Sequence, residues 1–248
     1  MEIPKNTLTT AIIAISVVLA AYFLGTAFKN RNQNNAISVT GLGTKDFVSD
    51  LIVWNGTFSK NNLELKTAYA ELEQDRQKIK NYLISKGFAE KDIVFSAVDI
   101  NKQYEYRNYT GYVGDSSQKI FTGYQLNQTV TIESKDVQKV ENLSRQITEL
   151  INNGVELYSP TPAYYYTKLS DLKIQMIAEA TKDAKKRAEE IAKNAGGKLG
   201  QLKKANLGVF QITAQNSSDE DYSWGGTFNI SSKNKTANVT IRLDYEAK

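Results

Sequence analysis

Residues 177–197 read IAEATKDAKKRAEEIAKNAGG, the strongest helical pattern in a chain of 248 residues. Apolar and alanine positions recur there at steps of three and four residues, which is the period of a helix with one buried face. Ser170 can cap the start of this helix, and Gly196-Gly197 can end it. We predict inward positions at Ile174, Ile177, Thr181, Ala184, Ala188, Ile191 and Ala195. Three of these seven residues are alanine, so the helix can lie close to a sheet or to another helix.

Strands and two further helices are predicted on either side of this segment. The strands are Ile37–Thr40, Ser49–Ser59, Asp92–Tyr104, Lys119–Glu133, Gln201–Phe210 and Lys235–Tyr245, and the helices are Leu63–Lys86 and Ser134–Ile151. In the second strand, Ile52, Trp54, Gly56 and Phe58 are expected to face the core. Glu105–Gly114 is polar and is predicted to be a long loop within a hairpin. The predicted class is α+β, an antiparallel-rich sheet packed by about three helices.

An uncharged segment of 21 residues, Leu8 to Phe28, precedes this domain. At a rise of about 1.5 Å per residue, a helix of this length crosses a hydrocarbon core of about 30 Å. We therefore expect an N-terminal transmembrane helix within residues 1–29, a polar linker over 30–36 and one domain over 37–248. A cleaved signal peptide is the alternative, although its apolar region is usually shorter. Lys5, Lys29 and Arg31 flank the segment on both sides, so charge does not decide its orientation.

The composition excludes several kinds of chemistry. The chain has no cysteine and no histidine, which excludes disulfides, thiolate nucleophiles, and Ser-His-Asp or Cys-His catalysis. The 31 basic and 27 acidic residues give a net charge of +4, too weak a balance to indicate nucleic-acid binding. We expect no enzyme activity, because no convergent set of acid and base groups is visible. No catalytic residue, cofactor or metal site is predicted.

Tyrosine supplies the candidate contact residues. Tyrosine offers a large contact area with a polar tip, which suits interfaces, although packing at a sheet edge would use the same residue type. In the run at 164–166, consecutive side chains of an extended chain cannot all point inward. The candidate interface residues are Tyr106, Tyr109, Tyr112, Tyr164, Tyr165 and Tyr166. Exposed aromatic rings could bind another protein or stack on a sugar.

Four stretches, in order, resemble the SIMPL domain family of bacterial envelope proteins, whose eukaryotic relatives associate with a Pelle-like kinase. They are an opening strand with a Gly-x-Gly turn, ISVTGLG at 37–43; a helix end and return strand, LISKGFAEKDI at 83–93; the alanine helix at 177–197; and a closing strand, ANVTIRLDY at 237–245. Many members carry a Pro-Asp pair after the Gly-x-Gly turn. Here that place is Phe47-Val48-Ser49-Asp50, without a proline.

The resemblance implies an extracytoplasmic protein with a loose link to envelope and oxidative stress, and some members form ring-like oligomers. It would place the domain in the periplasm, held by one pass through the bacterial inner membrane, or free there if the N-terminus is cleaved. Two hypotheses follow. The first is a non-enzymatic protein acting by self-assembly, as a homo-oligomer, or by binding an unknown envelope protein. The alternative is a glycan- or peptidoglycan-binding module that uses the Tyr-rich loop.

Overall fold

The chain folds into an α+β structure that divides into two units. A computed structural model describes residues 14–26, 36–111, 114–217 and 223–248, and the side chains of all of these except 108–116. The first unit takes in the chain up to Thr44, together with Gln175–Val209 and Val239–Lys248. The second unit consists of Lys45–Ile174 and Phe210–Asn238. The predicted α+β class is therefore confirmed, with two antiparallel sheets where one was predicted.

Helices and strands follow one another along the chain, and the connection from β9 to β10 is 19 residues long. The helices are α1 (14–26), α2 (Leu65–Ser85), α3 (Val137–Gln146) and α4 (Leu169–Asn194). The strands are β1 (Ala36–Val48), β2 (Leu51–Asn62), β3 (Ile93–Phe95), β4 (Asp99–Gly111), β5 (Gly114–Ser134), β6 (Leu157–Tyr158), β7 (Ala163–Tyr165), β8 (Leu199–Leu207), β9 (Gln211–Ala214) and β10 (Asn234–Ala247). Short 3-10 helices lie at Glu90–Asp92 and Ile147–Asn153.

The second unit is built on a six-stranded sheet with its core on one face. The strand order is β3-β5-β2-β6, with β4 also paired to β5 and β7 also paired to β2. Ile52, Trp54 and Phe58 are at most 1% exposed, which confirms the predicted inward face of β2. They pack with buried residues of α2 and α3, because alternate side chains of a strand point to the same face. The core includes Leu72, Ile79, Leu83, Val140 and Leu143.

The predicted loop at Glu105–Gly114 is wrong. The structure extends β4 to Gly111 and starts β5 at Gly114, so the two strands form one long hairpin. Their register continues from Asp99 opposite Asn127 to Gly111 opposite Gly114. Tyrosine and threonine favour strands when a neighbouring strand is available, and here each strand supplies that neighbour to the other. Pairing therefore outweighed the polar and glycine content that indicated a loop.

In the first unit, α4 lies close to β1. A Cβ atom on Gly41 would overlap the carbonyl oxygen of Ala180 and lie 2.7 Å from the Cβ of Ala184. A Cβ on Gly43 would lie 2.5 Å from the carbonyl oxygen of Met176. The predicted Gly-x-Gly turn is therefore wrong, because both glycines lie inside β1, where their lack of a side chain admits the helix.

The same close approach fixes which face of α4 is inward. The buried residues in the unit-one part of the helix are Met176, Ala180, Ala184, Ala188 and Ala192. Ala184 and Ala188 were predicted correctly. Ile174 and Ile191, predicted to be inward, are 65% and 49% exposed. Alanine fills the inner face because a glycine-containing strand brings the helix backbone too near for isoleucine.

Only part of the uncharged N-terminal segment is described. Residues 14–26 form α1, and the rest of the predicted span from Leu8 to Phe28 lies outside the described residues. Large apolar side chains of α1 are exposed, among them Val18 at 67% and Phe23 at 67%. In the described part of the chain, no helix is both long and apolar enough to cross a membrane.

Candidate interaction surface

The hairpin of β4 and β5 continues beyond the rest of the six-stranded sheet. The pairing of β2 with β5 ends at Asn62 opposite Tyr124. The hairpin goes on from Tyr104 opposite Phe121 to its tip. We call this two-stranded extension the β-arm: Tyr104–Gly111 with Gly114–Phe121. At about 3.4 Å per residue, its eight residue pairs project about 25 Å beyond the sheet.

A β-bulge marks the base of the β-arm. Gln103 pairs with Gly123 and Tyr104 pairs with Phe121, so Thr122 is an extra residue on β5. Gly123 has a φ of +135°, and a Cβ on it would lie 2.8 Å from the carbonyl oxygen of Asn62. Glycine is therefore required for the backbone to turn here. The extra residue also shifts the alternation of β5 by one, so Phe121 follows Tyr124 on the same face.

The bulge assembles an aromatic cluster on the β-arm, formed by Tyr104, Tyr106, Lys119, Phe121 and Tyr124. The Phe121 ring centre lies 5.7 Å from that of Tyr104 and 5.1 Å from that of Tyr124, both in edge-to-face geometry. The Lys119 ammonium lies 3.9 Å from the Tyr104 ring centre and 5.8 Å from that of Tyr106. Cation–π contacts at these distances are attractive. The cluster is thus an ordered surface before any partner arrives.

Much of this cluster is open to solvent. Tyr106 is 62% exposed, Tyr104 is 40% exposed and Phe121 is 39% exposed. At its inner end, Tyr124 packs against the hydrophobic core of the second unit. Exposed aromatic residues grouped in this way are typical of contact surfaces. The rigid end of the cluster therefore lies on the core and the exposed end lies on the β-arm.

The candidate tyrosines fall into two separate places. Tyr106 lies on the β-arm, and the backbone of Tyr109 continues the same strand. The side chain of Tyr109 and the whole of Tyr112 lie outside the described residues. Tyr164, Tyr165 and Tyr166 lie at and just after β7, which pairs with the start of β2. Among the described residues, Tyr106 therefore lies apart from the run at 164–166.

The run at 164–166 is largely a packing element. Tyr164 is 9% exposed, and its hydroxyl donates a hydrogen bond to Glu141 at 3.1 Å. Burial, together with this bond to a carboxylate, raises the pKa of Tyr164 to about 12. The Tyr166 ring packs on Phe47, with ring centres 4.8 Å apart. Tyr164 is therefore part of the core and has little surface to offer a partner.

Sequence reasoning missed Lys119 and Phe121 and their link to Tyr124. The signal available was Gly123, a glycine within a strand pattern, which indicates a bulge. A bulge reverses the inward–outward alternation of side chains along a strand. In β5, the odd-numbered residues before Thr122 therefore lie on the same face as Tyr124. Among the described residues, no group of three or more Asp, Glu, Cys or His residues is placed to hold a metal ion.

Comparison with known families identifies the domain. The model of SIMPL, a protein family of unknown function (DUF541), matches residues 37–244. The chain belongs to the SIMPL family. No curated protein sequence matches the chain. The description of the SIMPL family assigns no reaction or ligand, so function has to be argued from the surface itself.

The turn between β1 and β2, where a Pro-Asp pair is expected in many SIMPL proteins, is stabilised here by hydrogen bonds of Ser49 and Asp50. Asp50 accepts hydrogen bonds from the backbone nitrogen and the hydroxyl of Thr167, each at 2.7 Å. The backbone nitrogen of Ser49 donates to the carbonyl oxygen of Lys233 at 2.9 Å. The turn between β1 and β2 is therefore fixed by side-chain and backbone hydrogen bonds in place of a proline ring.

Proposed function

We propose that this SIMPL protein is a membrane-anchored, extracytoplasmic protein that acts by contact rather than by catalysis, and that its β-arm mediates self-assembly. The observation that carries the proposal is the β-arm itself. Among the described residues, no strand pairs with the outer edge of β4, and β5 from Gly114 to Gly123 pairs only with β4. A two-stranded hairpin is only marginally stable alone. Unpaired edges favour the addition of further strands.

The charge pattern of β4 favours a second copy of this chain as the partner. Glu105 and Arg107 flank Tyr106 and contact each other within the strand, with Arg107 Nε 3.7 Å from Glu105 Oε1, while their side chains are 55% and 58% exposed. If two β-arms pair edge to edge in antiparallel fashion with Tyr106 at the centre, Glu105 of each copy faces Arg107 of the other. This register is self-complementary, as a two-fold symmetric interface requires. The same pairing joins the two β-arms into one four-stranded sheet and brings the aromatic clusters of the two copies next to each other.

The proposed anchor rests on the N-terminal segment. The span from Leu8 to Phe28 carries no charge. Within it, Ile15, Val18 and Phe23 are each more than 60% exposed on α1. Apolar side chains exposed on several sides of a helix are typical of a lipid environment. We place the domain in the bacterial periplasm, on a single pass through the inner membrane, with a role in envelope or oxidative stress. The lack of cysteine and histidine supports a non-enzymatic function.

Charge reversal tests the self-assembly. The full chain in detergent is examined by light scattering as wild type, Glu105→Arg, Arg107→Glu, and the double variant. In each single variant, both of the symmetry-related contacts between residues 105 and 107 bring like charges together. Association is expected to weaken about tenfold, because exposed ion pairs contribute up to about 1 kcal/mol each. The double variant restores opposite charges and is expected to associate like wild type.

Other results of the same experiment would contradict the proposal. A wild-type chain that stays monomeric at high concentration excludes self-assembly and leaves a different envelope protein as the partner. Equal weakening in the double variant and the single variants excludes this register. Gln138→Arg, on the exposed surface of α3, is the control for a general effect of added charge.

A separate measurement tests the anchor. The protein is extracted from membranes, and its intact mass is determined. Retention of residues 1–29, with release from the membrane only by detergent, supports the anchor. A mass that lacks this segment would show that the N-terminus is cleaved.

A further inference from the structure

The face of the six-stranded sheet opposite α2 and α3 is polar and uncharged over its centre, with the carboxylates of Asp99 and Glu133 toward its margins. On β2, Lys60 contacts Asp75 of α2 at 2.8 Å, so its neighbour Asn61 points to the opposite face. Asn55 and Thr131 are hydrogen-bonded there at 2.8 Å, and Thr57 and Thr129 at 3.2 Å. The side chains of this face on the two central strands include Asn55, Thr57, Ser59, Asn61, Gln125, Asn127, Thr129 and Thr131. They offer hydroxyl and amide groups and no net charge.

A cleft of about 300 Å³ opens on this face at the base of the β-arm. Its lining residues are Asn61, Gln103, Thr122, Gly123, Tyr124 and Gln125, and we call it the amide cleft. The cleft lies at the bulge, where Thr122 is displaced from the ladder between the Gln103–Gly123 and Tyr104–Phe121 pairs. Within the cleft, Gln103 donates a hydrogen bond to Gln125 at 2.7 Å, so the two amides have a fixed orientation.

The chemistry of the amide cleft selects for a neutral polar ligand. All six lining residues are uncharged. They include no lysine or arginine to bind a phosphate or carboxylate, and no carboxylate to bind a cation. Each primary amide carries two donors and one acceptor oxygen, and Thr122 adds a hydroxyl. After the Gln103–Gln125 bond is counted, both donors and acceptors remain for a ligand that offers both in return.

We propose that the amide cleft binds a neutral glycan rich in hydroxyl and acetamido groups. Small-molecule sites occupy roughly 300–1,000 Å³, so this cleft holds one or two sugar rings. The cleft opens onto the polar sheet face, along which the following sugars lie over Ser59 and Asn127, beside the carboxylate of Asp99. The acetamido group suits the side-chain amides of the cleft, because both groups carry an N–H donor and a carbonyl acceptor and can form paired hydrogen bonds. This site lies on a face of the sheet and the proposed self-assembly uses the edge of β4, with Gln103 belonging to both.

Calorimetric titration of the full chain tests the proposal, in a detergent without a sugar headgroup. The probe is the tetramer of N-acetylglucosamine, compared with its deacetylated form and with a neutral glucose tetramer. Wild type is expected to bind the acetylated tetramer best. Gln125→Leu and Asn61→Leu keep a similar volume but remove the amide, and each is expected to weaken binding about tenfold, since a ligand hydrogen bond is lost and its partner group is left unpaired.

Matched variants separate the amide cleft from the rest of the molecule. Gln138→Leu, which removes an exposed amide on α3, is expected to bind like wild type. The proposal is overturned if wild type fails to bind the acetylated tetramer at about 10 mM. It is also overturned if the two cleft variants bind as tightly as wild type, or if the deacetylated tetramer binds equally well.

Discussion

Replacing Gly41 with alanine should destabilise the first unit more than a single methyl group usually does. The new Cβ would overlap the carbonyl oxygen of Ala180 and lie 2.5 Å from the backbone nitrogen of Ala184. Both are backbone atoms of α4, so no change of rotamer can relieve the contact. Overpacking in a filled core costs about 1–3 kcal/mol, and we expect about 3 kcal/mol here. For a domain of about 200 residues, this lowers Tm by about 6–12 °C.

Thermal unfolding followed by circular dichroism measures this effect. Gly225→Ala is the control, because the nearest atom to its new Cβ is the Ser223 hydroxyl at 4.0 Å. That change should leave Tm equal or slightly raised, since alanine lowers the entropy of the unfolded chain. Ala184→Gly should not rescue Gly41→Ala, because the overlap with Ala180 remains. If Gly41→Ala melts within about 2 °C of wild type, α4 does not lie against β1 as described.

Two further predictions concern the second unit. Because the folded pKa of Tyr164 is about 12, above the usual value of 10, its contribution to stability is complete below pH 10 and is lost as the pH rises toward 12. The difference in unfolding free energy between wild type and Tyr164→Phe should therefore shrink over that range, and a constant difference would contradict the predicted coupling. Asp50→Ala removes the acceptor of two bonds from Thr167 and should cost about 1.5–3 kcal/mol in chemical denaturation. Asp50→Asn keeps one acceptor oxygen and should lower the unfolding free energy less than Asp50→Ala does. Equal losses of unfolding free energy in the two variants would indicate that the hydrogen bonds to Thr167 do not contribute to stability.

The sequence pattern predicted the buried face correctly where burial follows the periodicity of a single strand or helix. The alternation of Ile52, Trp54 and Phe58 predicted the inner face of β2. The same reasoning failed for Gly41 and Gly43. Their role depends on α4, which is distant in the sequence, and a glycine pair indicates a turn and a close approach equally well.

The contact surface was only partly predictable for a related reason. Tyr106 was a candidate because tyrosine offers a large contact area with a polar tip, and in the structure 62% of it is exposed on the β-arm. The aromatic cluster as a whole depends on the extra residue Thr122, which changes the face that Phe121 and Lys119 occupy. Gly123 indicates a bulge, but the residues that change face follow only from the partner strand and its register. Tyr164 could not be separated from its neighbours by sequence, because its burial depends on α3 and Glu141.

Cysteine cross-linking gives the most direct test of self-assembly through the β-arm. The chain has no cysteine, so one introduced thiol is the only reactive one. Tyr106 is expected to face its own counterpart across the paired arms, and Tyr106→Cys in intact membranes should therefore form a covalent dimer in high yield under mild oxidation. Gln138→Cys, on the exposed surface of α3, should remain monomeric under the same conditions. Equal yields from the two variants, or no dimer from Tyr106→Cys, would contradict assembly through the β-arm.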